Sequence, residues 1–375
     1  MSAGDPSSQR VRIVRLIPVL DFGGVESRFV LQSELMDRER FDLRVCTFWK
    51  RGQAARRIEA LGHQVDELGV DPSIRNPRAT WELVRYLRQV RPHVLHASVG
   101  EAMIHGAVAG RIAQVPSVII EEVGIAKRSR AGRAAAWAAG QLAHVIVGVS
   151  QQTCDVLADN DGMPRSRIRL IYNCGKPEYF APVTRSYRGP DLPLRVLTAG
   201  RLVPEKNQLQ LLRAFQRLRQ NNVAATLDIA GEGPLRPQLE AAIVELGLSD
   251  SVRLLGFRND VRELLADCDV FVLSSVSEGC SIALVEAMAT GTPVIGSNIP
   301  GIVEVMGPLG RDYIREPMDA AGWAEALAGM ARKSEADRRE LGQRAREIAE
   351  HGFAPERYIR ALSDLYAGLK SRQAA

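Results

Sequence analysis

Apolar residues recur along the chain in short β-branched runs that alternate with segments of helical periodicity. Such alternation predicts parallel strands joined by crossover helices, with helices on both faces of each sheet. In the first half the predicted strands are residues 11–17, 42–48, 94–96, 117–121 and 145–149. In the second half they are residues 195–199, 225–230, 252–255, 270–273 and 293–296. The pattern therefore predicts an α/β protein with two doubly wound, Rossmann-like units rather than one large one.

A stretch without periodicity separates the two halves. Residues 176–193, KPEYFAPVTRSYRGPDLP, carry four prolines, which is typical of a linker. We therefore predict a first domain over residues 1–180, a second over 181–354 and a final helix in 355–375 whose apolar face needs a partner. Ligands of such folds bind outside the carboxyl ends of the strands, so two facing units would form an interdomain cleft.

Residues 274–304, SSVSEGCSIALVEAMATGTPVIGSNIPGIVE, place two carboxylates on either side of a predicted helix start. Ser281 is predicted to cap the helix, and the backbone N–H groups that follow, from Ile282 onward, can bind an anion. Glu286 lies in the second turn, roughly 7 Å along the axis from the cap, and Glu278 precedes the helix. This order, hydroxyl acceptor, anion site, hydroxyl acceptor, matches a nucleotide sugar with its hexose, diphosphate and ribose.

Two cations follow the first strand of the second half. The sequence AGRLVPEKNQ leaves that strand through Gly200, and Arg201 and Lys206 then project at the expected ligand edge. An arginine offers a planar fork for phosphate oxygens and a lysine a point charge. Alone, this spacing is equally typical of a solvated surface loop. Beside the two carboxylates, it predicts a diphosphate site that needs no metal ion.

Glycines mark two further turns of the predicted site. Gly23 and Gly24 join a strand to a helix in the first half, where backbone can approach a ligand closely. Gly231 and Gly233 form a tight turn on the nucleotide side of the second half. Neither turn is a dinucleotide or Walker fingerprint, because the required third glycine or the G-K-[ST] sequence is missing.

Candidate residues for the base and for the acceptor are less distinctive. Phe257 and Arg258 follow a strand end and are predicted to contact the base, although an exposed strand end fits equally well. His96, His105 and Glu122 are candidate acceptor residues at or near strand ends of the first half. A lone histidine at such a position is more often packed or exposed than functional.

The net charge of +5 comes entirely from the first half. Residues 1–180 hold 25 Lys and Arg against 19 Asp and Glu, with a cluster at 127–133 beside Trp137 and another in 75–91. A basic cluster next to a Trp-bearing amphipathic segment can contact an anionic membrane surface or an acidic acceptor. A solvated arginine-rich surface explains the same pattern. No nucleic-acid-binding motif accompanies the charge, so we expect no nucleic acid partner.

The composition argues against several other classes of protein. Five cysteines without a C-x-x-C pair argue against a disulfide framework and a zinc site. The first ten residues lack the apolar core of a signal peptide, and the longest apolar stretch, 134–149, is interrupted and too short to span a bilayer. We expect a cytoplasmic protein, with peripheral contact at the inner membrane face open, and no metal or cofactor.

With these residues assembled, the chain resembles glycosyltransferase family 4, the retaining enzymes of GT-B architecture. The resemblance rests on GGVE at Gly23, VSQQTCDVL at Val149, AGRLVPEKN at Ala199, GEGP at Gly231, LGF at Leu255 and EGCSIALVEAMATGTPVI at Glu278. It implies that Arg201 and Lys206 bind the donor diphosphate, Glu278 the sugar hydroxyls and Glu286 the ribose diol. It also implies that the last helix crosses back onto the first domain.

Three departures from the family pattern concern the donor sugar and the hinge. Cys280 and Ser281 stand where relatives commonly carry Phe-Gly or a similar pair. Val123 stands where a donor-contacting histidine is usual, and the Asn-Gly-x-Asp before the linker is replaced by residues 173–176, NCGK.

The resemblance implies a retaining transferase that moves a hexose-type sugar from a nucleoside diphosphate to a hydroxyl on a glycan, a lipid-linked or a small-molecule acceptor. The expected mechanism is a front-face reaction with Arg201, Lys206 and Glu278 as catalytic residues. The two cations would stabilise the leaving diphosphate, and Glu278 would position the sugar through its hydroxyls. A GT-B epimerase or phosphorylase and a catalytically silent nucleotide-sugar-binding partner are the alternatives. The sequence leaves the donor sugar, its base and the acceptor open.

Overall fold

The computed structural model describes residues 10–21 and 23–374. These residues divide into two compact units, and each has its own parallel sheet. Unit 1 runs to Tyr172 and includes the last helix from Pro355, whereas unit 2 is Asn173–Ala354. The sequence placed the boundary after residue 180.

Unit 1 contains a seven-stranded sheet of order β3-β2-β1-β4-β5-β6-β7. Its strands are β1 (Val11–Leu20), β2 (Phe41–Arg51), β3 (Gln64–Glu67), β4 (Val94–Ser98), β5 (Ser117–Glu122), β6 (Val145–Gly148) and β7 (Ile168–Leu170). Its helices are α1 (Gly24–Leu35), α2 (Gln53–Ala60), α3 (Pro77–Val90), α4 (Gly100–Ile112), α5 (Arg130–Leu142) and α6 (Gln151–Asp155), joined by the final helix α16 (Pro355–Ala374).

Unit 2 contains a six-stranded sheet of order β10-β9-β8-β11-β12-β13. After α7 (Pro177–Phe180), its strands are β8 (Leu194–Ala199), β9 (Ala225–Ala230), β10 (Val252–Gly256), β11 (Val270–Leu273), β12 (Val294–Ser297) and β13 (Ile314–Arg315). Its other helices are α8 (Gln208–Gln220), α9 (Arg236–Glu245), α10 (Val261–Asp267), α11 (Ile282–Ala289), α12 (Pro300–Met306), α13 (Gly310–Tyr313), α14 (Ala320–Ala331) and α15 (Glu335–Phe353).

All ten predicted strands are present, and the structure adds three. The added strands β3, β7 and β13 are short and lie at sheet edges, where few residues are buried and no apolar run announces a strand. Strand β1 also continues through Leu20, although the sequence predicted that it ends at residue 17. Pairing with β2 through Val19 and Leu20 explains the extension.

The last helix contacts α1 and β1 of unit 1. Its Tyr366 is fully buried, where the hydroxyl lies 2.7 Å from His96 Nδ1 and accepts a hydrogen bond from Gln32 Nε2 at 3.1 Å. The apolar face that lacked a partner in the sequence is therefore covered by unit 1.

A buried carboxylate, Glu121 near the end of β5, connects this strand to three other elements of unit 1. It accepts hydrogen bonds from Arg15 Nη2 at 3.0 Å, Arg28 Nη1 at 2.9 Å and Ser98 Oγ at 2.6 Å. The two guanidinium groups hold the pKa of this carboxyl well below its usual range against the opposing effect of burial. Strands β1, β4 and β5 and helix α1 are thereby fixed to one another.

Candidate functional site

The carboxyl edge of the unit 2 sheet brings several predicted residues together. Strands β10, β9, β8 and β11 are neighbours, so the loops that leave them meet at one edge. Backbone hydrogen bonds connect the ends of β8, β9 and β10, from Gly200 N to Ala230 O at 2.9 Å and from Gly231 N to Gly256 O at 2.8 Å. The predicted ligand edge is thus a continuous backbone surface.

Two glycines allow this close contact between loops. A Cβ atom on Gly231 would lie 1.9 Å from the carbonyl oxygen of Gly200, and one on Gly233 would lie 2.4 Å from that of Leu202. Both distances are too short for any side chain, so backbone packing requires glycine at these positions.

Lys206 and Glu278 form an ion pair at this edge. Lys206 Nζ lies 2.5 Å from Glu278 Oε1, and Ser275 Oγ donates to the same oxygen at 2.7 Å. The side chains are 21% and 13% exposed, so the pair is accessible but partly desolvated. Glu278 Oε2 accepts no hydrogen bond from any residue that the structure describes. One oxygen of this carboxylate remains open to a hydroxyl donor.

Arg201 lies on the same edge, after Gly200, and its side chain is exposed. Within residues 10–21 and 23–374, no acid pairs with its guanidinium. Its backbone is fixed, since Arg201 O accepts a hydrogen bond from the buried Gln208 at 2.9 Å. Arg201 thus has a fixed backbone, and its guanidinium, which no described acid pairs with, can bind an anion.

The loop that carries Lys206 is fastened to β11 by a residue that the sequence reasoning missed. Asn207 adopts a left-handed backbone with φ of 56°, and its side-chain amide donates to Ser274 O at 3.1 Å and Pro317 O at 2.9 Å. Ser274 Oγ in turn donates to Lys206 O at 3.0 Å. An asparagine directly after the lysine, a residue type that tolerates this backbone, was the available signal.

Helix α11 begins where it was predicted, but its cap differs. Ser281 occupies the N-cap position, yet its side chain makes no capping hydrogen bond, so that prediction is wrong. Ser281 and Cys280 are both buried, and Cys280 O accepts a hydrogen bond from Asn173 Nδ2 at 3.1 Å. Ile282 then opens the helix.

Glu286 is the most perturbed acid of this edge. It is 7% exposed, and burial raises its pKa to about 7 although the charge and backbone N–H of Lys176 act in the opposite direction. Its Oε1 atom is buried and has no hydrogen-bond partner among the described residues. A buried acceptor without a donor is costly, so this oxygen points to a missing hydroxyl.

Phe257 and Arg258 flank the edge after β10. Phe257 is 56% exposed, and the guanidinium of Arg258 pairs with Asp260 through its Nε at 2.7 Å. Exposed pairs of this kind are weak, so Arg258 can exchange its partner. Their contact with a base stays a prediction.

In unit 1, Gly23 and Gly24 lie where β1 passes into α1. Gly23 is the N-cap residue, and its carbonyl accepts hydrogen bonds from Ser27 N at 3.0 Å and Ser27 Oγ at 2.8 Å. The close approach of Gly23 and Gly24 to a ligand stays a prediction.

The two candidate histidines of unit 1 are packed inside it. His96 is fully buried against Arg15 and Tyr366, and burial lowers its pKa to about 4. His105 is 3% exposed, lies 2.7 Å from Thr80 Oγ1 through its Nδ1 and contacts the carbonyl of Pro72 through its Nε2. The structure thus exposes neither ring at a surface of unit 1, and their contact with the acceptor stays a prediction.

Glu122 lies at the carboxyl end of β5 and is 5% exposed. Arg128 bridges it to Asp161, and burial raises the pKa of Glu122. Arg128 therefore belongs to an internal ion-pair cluster rather than to the basic surface that the sequence suggested. Trp137, next to that surface, is 50% exposed.

Two properties of the described residues bear on the class of site. None of the helices in these ranges is long and apolar enough to cross a membrane. Likewise, no group of three or more His, Cys, Asp or Glu side chains in them could hold a metal ion.

Comparison with protein families identifies the chain. The model of the glycosyl transferases group 1 matches residues 185–348, and that of glycosyltransferase family 4 matches residues 22–178. Between them the two models match most of the chain, which therefore belongs to the family 4, group 1 type of glycosyltransferases. The predicted family is confirmed.

Curated relatives are moderately similar. The putative colanic acid biosynthesis glycosyltransferase WcaL of Escherichia coli K12 is 31% identical over 216 residues, which are 56% of this chain and 53% of WcaL. The UDP-Gal:alpha-D-GlcNAc-diphosphoundecaprenol alpha-1,3-galactosyltransferase of Escherichia coli is 27% identical over 79% of this chain and 81% of that enzyme. The match thus spans about half the length of WcaL and most of the second relative.

Solved structures confirm the fold. HepE of Anabaena, in complex with UDP and glucose, superimposes with a TM-score of 0.81 at 20% identity and covers 96% of this chain and 100% of its own. Sucrose-phosphate synthase of Thermosynechococcus elongatus gives a TM-score of 0.79 at 18% identity, over 97% and 100% of the two chains. The chain has the GT-B fold, with two Rossmann-like domains.

Proposed function

We propose that this chain transfers a hexose-type sugar from a nucleoside diphosphate to a hydroxyl acceptor, with retention of the anomeric configuration. The observation that carries the proposal is the unsatisfied, buried Oε1 of Glu286 on the edge that also holds Arg201 and the Lys206–Glu278 pair. These groups supply, in one unit, acceptors for hydroxyls and cations for phosphates.

Glu286 fits a ribose. Two adjacent hydroxyls can donate to a carboxylate, and one donated hydrogen bond would satisfy the orphaned oxygen. Such donors favour the ionised form, so they would offset the burial that raises the pKa of this group. A bound nucleoside would thus supply the donor that this buried oxygen lacks.

Arg201 and Lys206 fit a diphosphate. A phosphate oxygen would compete with Glu278 for the ammonium group of Lys206, because Glu278 already accepts a hydrogen bond from it and both groups are anionic acceptors. The carboxylate displaced from Lys206 then has both oxygens available for sugar hydroxyls. In this arrangement the same two cations stabilise the charge that develops on the leaving diphosphate, which is where they would accelerate transfer.

Retention is proposed from the family and from the absence of a suitable nucleophile among the candidates. His96 and His105 are buried inside unit 1, and Glu122 is occupied by Arg128. A front-face reaction needs no such nucleophile, since the departing phosphate can take the proton of the acceptor hydroxyl.

The relatives suggest the partners. HepE was solved with UDP and glucose, and a relative from Escherichia coli acts on a GlcNAc-diphosphoundecaprenol acceptor. We propose a carbohydrate, lipid-linked or small-molecule acceptor, and contact with a membrane surface through the basic part of unit 1. We propose further that the protein acts in the cytoplasm and requires neither metal nor nucleic acid.

The test compares Arg201→Ala and Lys206→Ala with Arg217→Ala, which removes an exposed cation elsewhere in unit 2. Each variant is assayed for sugar transfer and for slow hydrolysis of nucleotide sugars, and donor binding is followed by thermal shift. A donor at 100 times its Kd stabilises the protein by about 2.7 kcal/mol. We expect turnover to fall about 100-fold in the two site variants and to stay unchanged in the control.

Near wild-type turnover in both site variants would refute the assignment. Donor binding with neither transfer nor hydrolysis would instead support the silent nucleotide-sugar-binding partner. Interconversion of the donor sugar would identify an epimerase, and absorbance of a bound pyridoxal group would identify a phosphorylase.

A further inference from the structure

Strand β2 carries an irregularity where it reaches the carboxyl edge of the unit 1 sheet. Val19 of β1 pairs with Trp49, but the next residue, Leu20, pairs with Arg51. Lys50 is therefore an extra residue, a β-bulge in a parallel pair. Bulges are rare between parallel strands, and they concentrate beside functional sites, where they redirect a side chain.

The backbone at this bulge is strained. Lys50 has φ of 56°, in the left-handed region that residues other than glycine, asparagine and aspartate seldom adopt. Such a conformation is unfavourable and persists only when surrounding contacts enforce it. The bulge is therefore a feature that the fold maintains.

Those contacts come from the segment that leads to Gly23. Lys50 Nζ lies 2.5 Å from Asp21 Oδ2, Gly52 N donates to Leu20 O at 2.8 Å and Ala54 N donates to Asp21 O at 2.8 Å. On the other side, the buried Thr47 donates its hydroxyl to the carbonyl of Trp49 at 3.0 Å. The backbone of Trp49 is thus held on both sides.

The result is an exposed tryptophan at a fixed position. Trp49 is 52% exposed, whereas the residue before it in β2, Phe48, is fully buried. It lies next to β1, which continues into the Gly23–Gly24 turn at the edge where ligands of such sheets bind. A large apolar ring held in this way at a ligand edge is a contact surface rather than a packing residue.

The surroundings of the ring offer both donors and acceptors. Lys50 pairs with Asp21 and Arg51 pairs with Glu59, so the two cations that directly follow Trp49 are each matched by a carboxylate. A lipid surface would favour unpaired cations, whereas hydroxyl groups use donors and acceptors alike. A pyranose ring has this combination, because axial C–H groups make one face apolar while hydroxyls surround the rim.

We propose that Trp49 is an acceptor subsite on which a pyranose ring stacks, with the Lys50–Asp21 and Arg51–Glu59 pairs binding its hydroxyls. The inference rests on the proposed function and narrows it: the acceptor is a carbohydrate. Among glycan, lipid-linked and small-molecule acceptors, it requires that the part bound in unit 1 be a sugar.

The chain offers matched controls. Its four tryptophans all lie in described parts of the chain, and two others, Trp81 on α3 and Trp137 on α5, are 60% and 50% exposed, whereas Trp323 is buried. The double variant Trp81→Phe/Trp137→Phe therefore leaves Trp49 as the reporter on the surface. The variant Trp49→Ala removes it and keeps the other three.

The experiment titrates the tryptophan fluorescence of the full chain with the methyl pyranosides of glucose, galactose, mannose and N-acetylglucosamine. We expect at least one glycoside to give a saturable change in the wild type and in the double variant, and none in Trp49→Ala. With the responding glycoside as acceptor, we also expect Trp49→Ala to raise the KM for that acceptor about tenfold while the rate of donor hydrolysis stays unchanged. Trp49→Phe should retain part of the response.

Two results would overturn the subsite: no response to any glycoside, or a response that survives in Trp49→Ala. A fluorescence change with anionic lipid vesicles that depends on Trp49, without any glycoside response, would assign the surface to a membrane and equally reject the proposal. Thermal shift with nucleotide sugars on the same samples tests the proposed function separately from the Trp49 subsite. If the variants still bind the donor while the glycoside response is missing, the subsite is rejected and the proposed function is retained.

Discussion

Replacing Glu286 by glutamine should change how the stability of unit 2 depends on pH. Burial raises the pKa of this carboxyl from an ordinary 4.5 to about 7 in the folded protein. Between these values the unfolded chain has released its proton and the folded chain has kept it. The stability that this group contributes is therefore fully present below pH 4.5 and is lost as the pH rises through 7.

The size of the effect follows from the shift. One pKa unit corresponds to about 1.4 kcal/mol, so the wild type should lose up to about 3 kcal/mol across this window because of Glu286. For a folding unit of this size, about 1 kcal/mol moves the melting temperature by about 2–4 °C. Glutamine cannot ionise, so the melting temperature of Glu286→Gln relative to wild type should rise by about 6–12 °C between pH 5 and pH 8.

Thermal unfolding of both proteins at a series of pH values measures this difference. A constant offset between them reflects the fit of the amide in the cavity and does not bear on ionisation. The matched control is Glu245→Gln on α9, whose side chain is exposed. If the difference in melting temperature between wild type and Glu286→Gln stays constant from pH 5 to pH 8, burial does not hold the carboxyl protonated. That result would also contradict the interpretation of Glu286 Oε1 as a buried acceptor without a donor.

Two further changes test the packing of each unit by urea unfolding. Glu121→Gln leaves two buried guanidinium groups without their carboxylate, so it should lower the free energy of unfolding by about 3–5 kcal/mol. The control Glu82→Gln removes a carboxylate that bridges two exposed arginines on α3, and it should lower the free energy of unfolding by at most about 1 kcal/mol. Equal losses in the two variants would contradict this. Gly233→Ala places a methyl group 2.4 Å from the carbonyl oxygen of Leu202 and should lower the free energy of unfolding by about 1–3 kcal/mol. The control Gly189→Ala, with nothing within 4 Å of the added methyl group, should leave it unchanged. An unchanged free energy of unfolding in Gly233→Ala would mean that the loops after β8 and β9 can separate freely.

Much of the fold could be predicted because its strands are buried on both faces. Such strands appear as continuous apolar runs, and helical periodicity between them specifies parallel crossovers. The edge strands β3, β7 and β13 were missed for the same reason, since they bury little and leave no such run. Strand ends were also underestimated where polar or proline residues continue the pairing, as at Pro18.

Side-chain direction was harder to predict than position. In a strand buried on both faces, alternation does not distinguish one face from the other, so nothing in the sequence told whether His96 points into unit 1 or toward a ligand. Ser281 illustrates a second limit, because it occupies the cap position but a hydroxyl can turn away from the helix. The bulge at Lys50 is a third, since it arises from pairing with β1 and from Asp21, which are distant in sequence.

By itself, the sequence determined the class of the protein: the two doubly wound units, the family motifs and the positions of Arg201, Lys206, Glu278 and Glu286 relative to strand ends. These features depend on local periodicity and on short spacings, which a sequence records directly. Only the tertiary structure decided that Lys206 pairs with Glu278, that Glu286 has a buried oxygen without a donor and that Trp49 is held exposed at a bulge. Each of these depends on which strands are neighbours and how deeply a side chain is buried, and both are set by contacts between residues far apart in the chain.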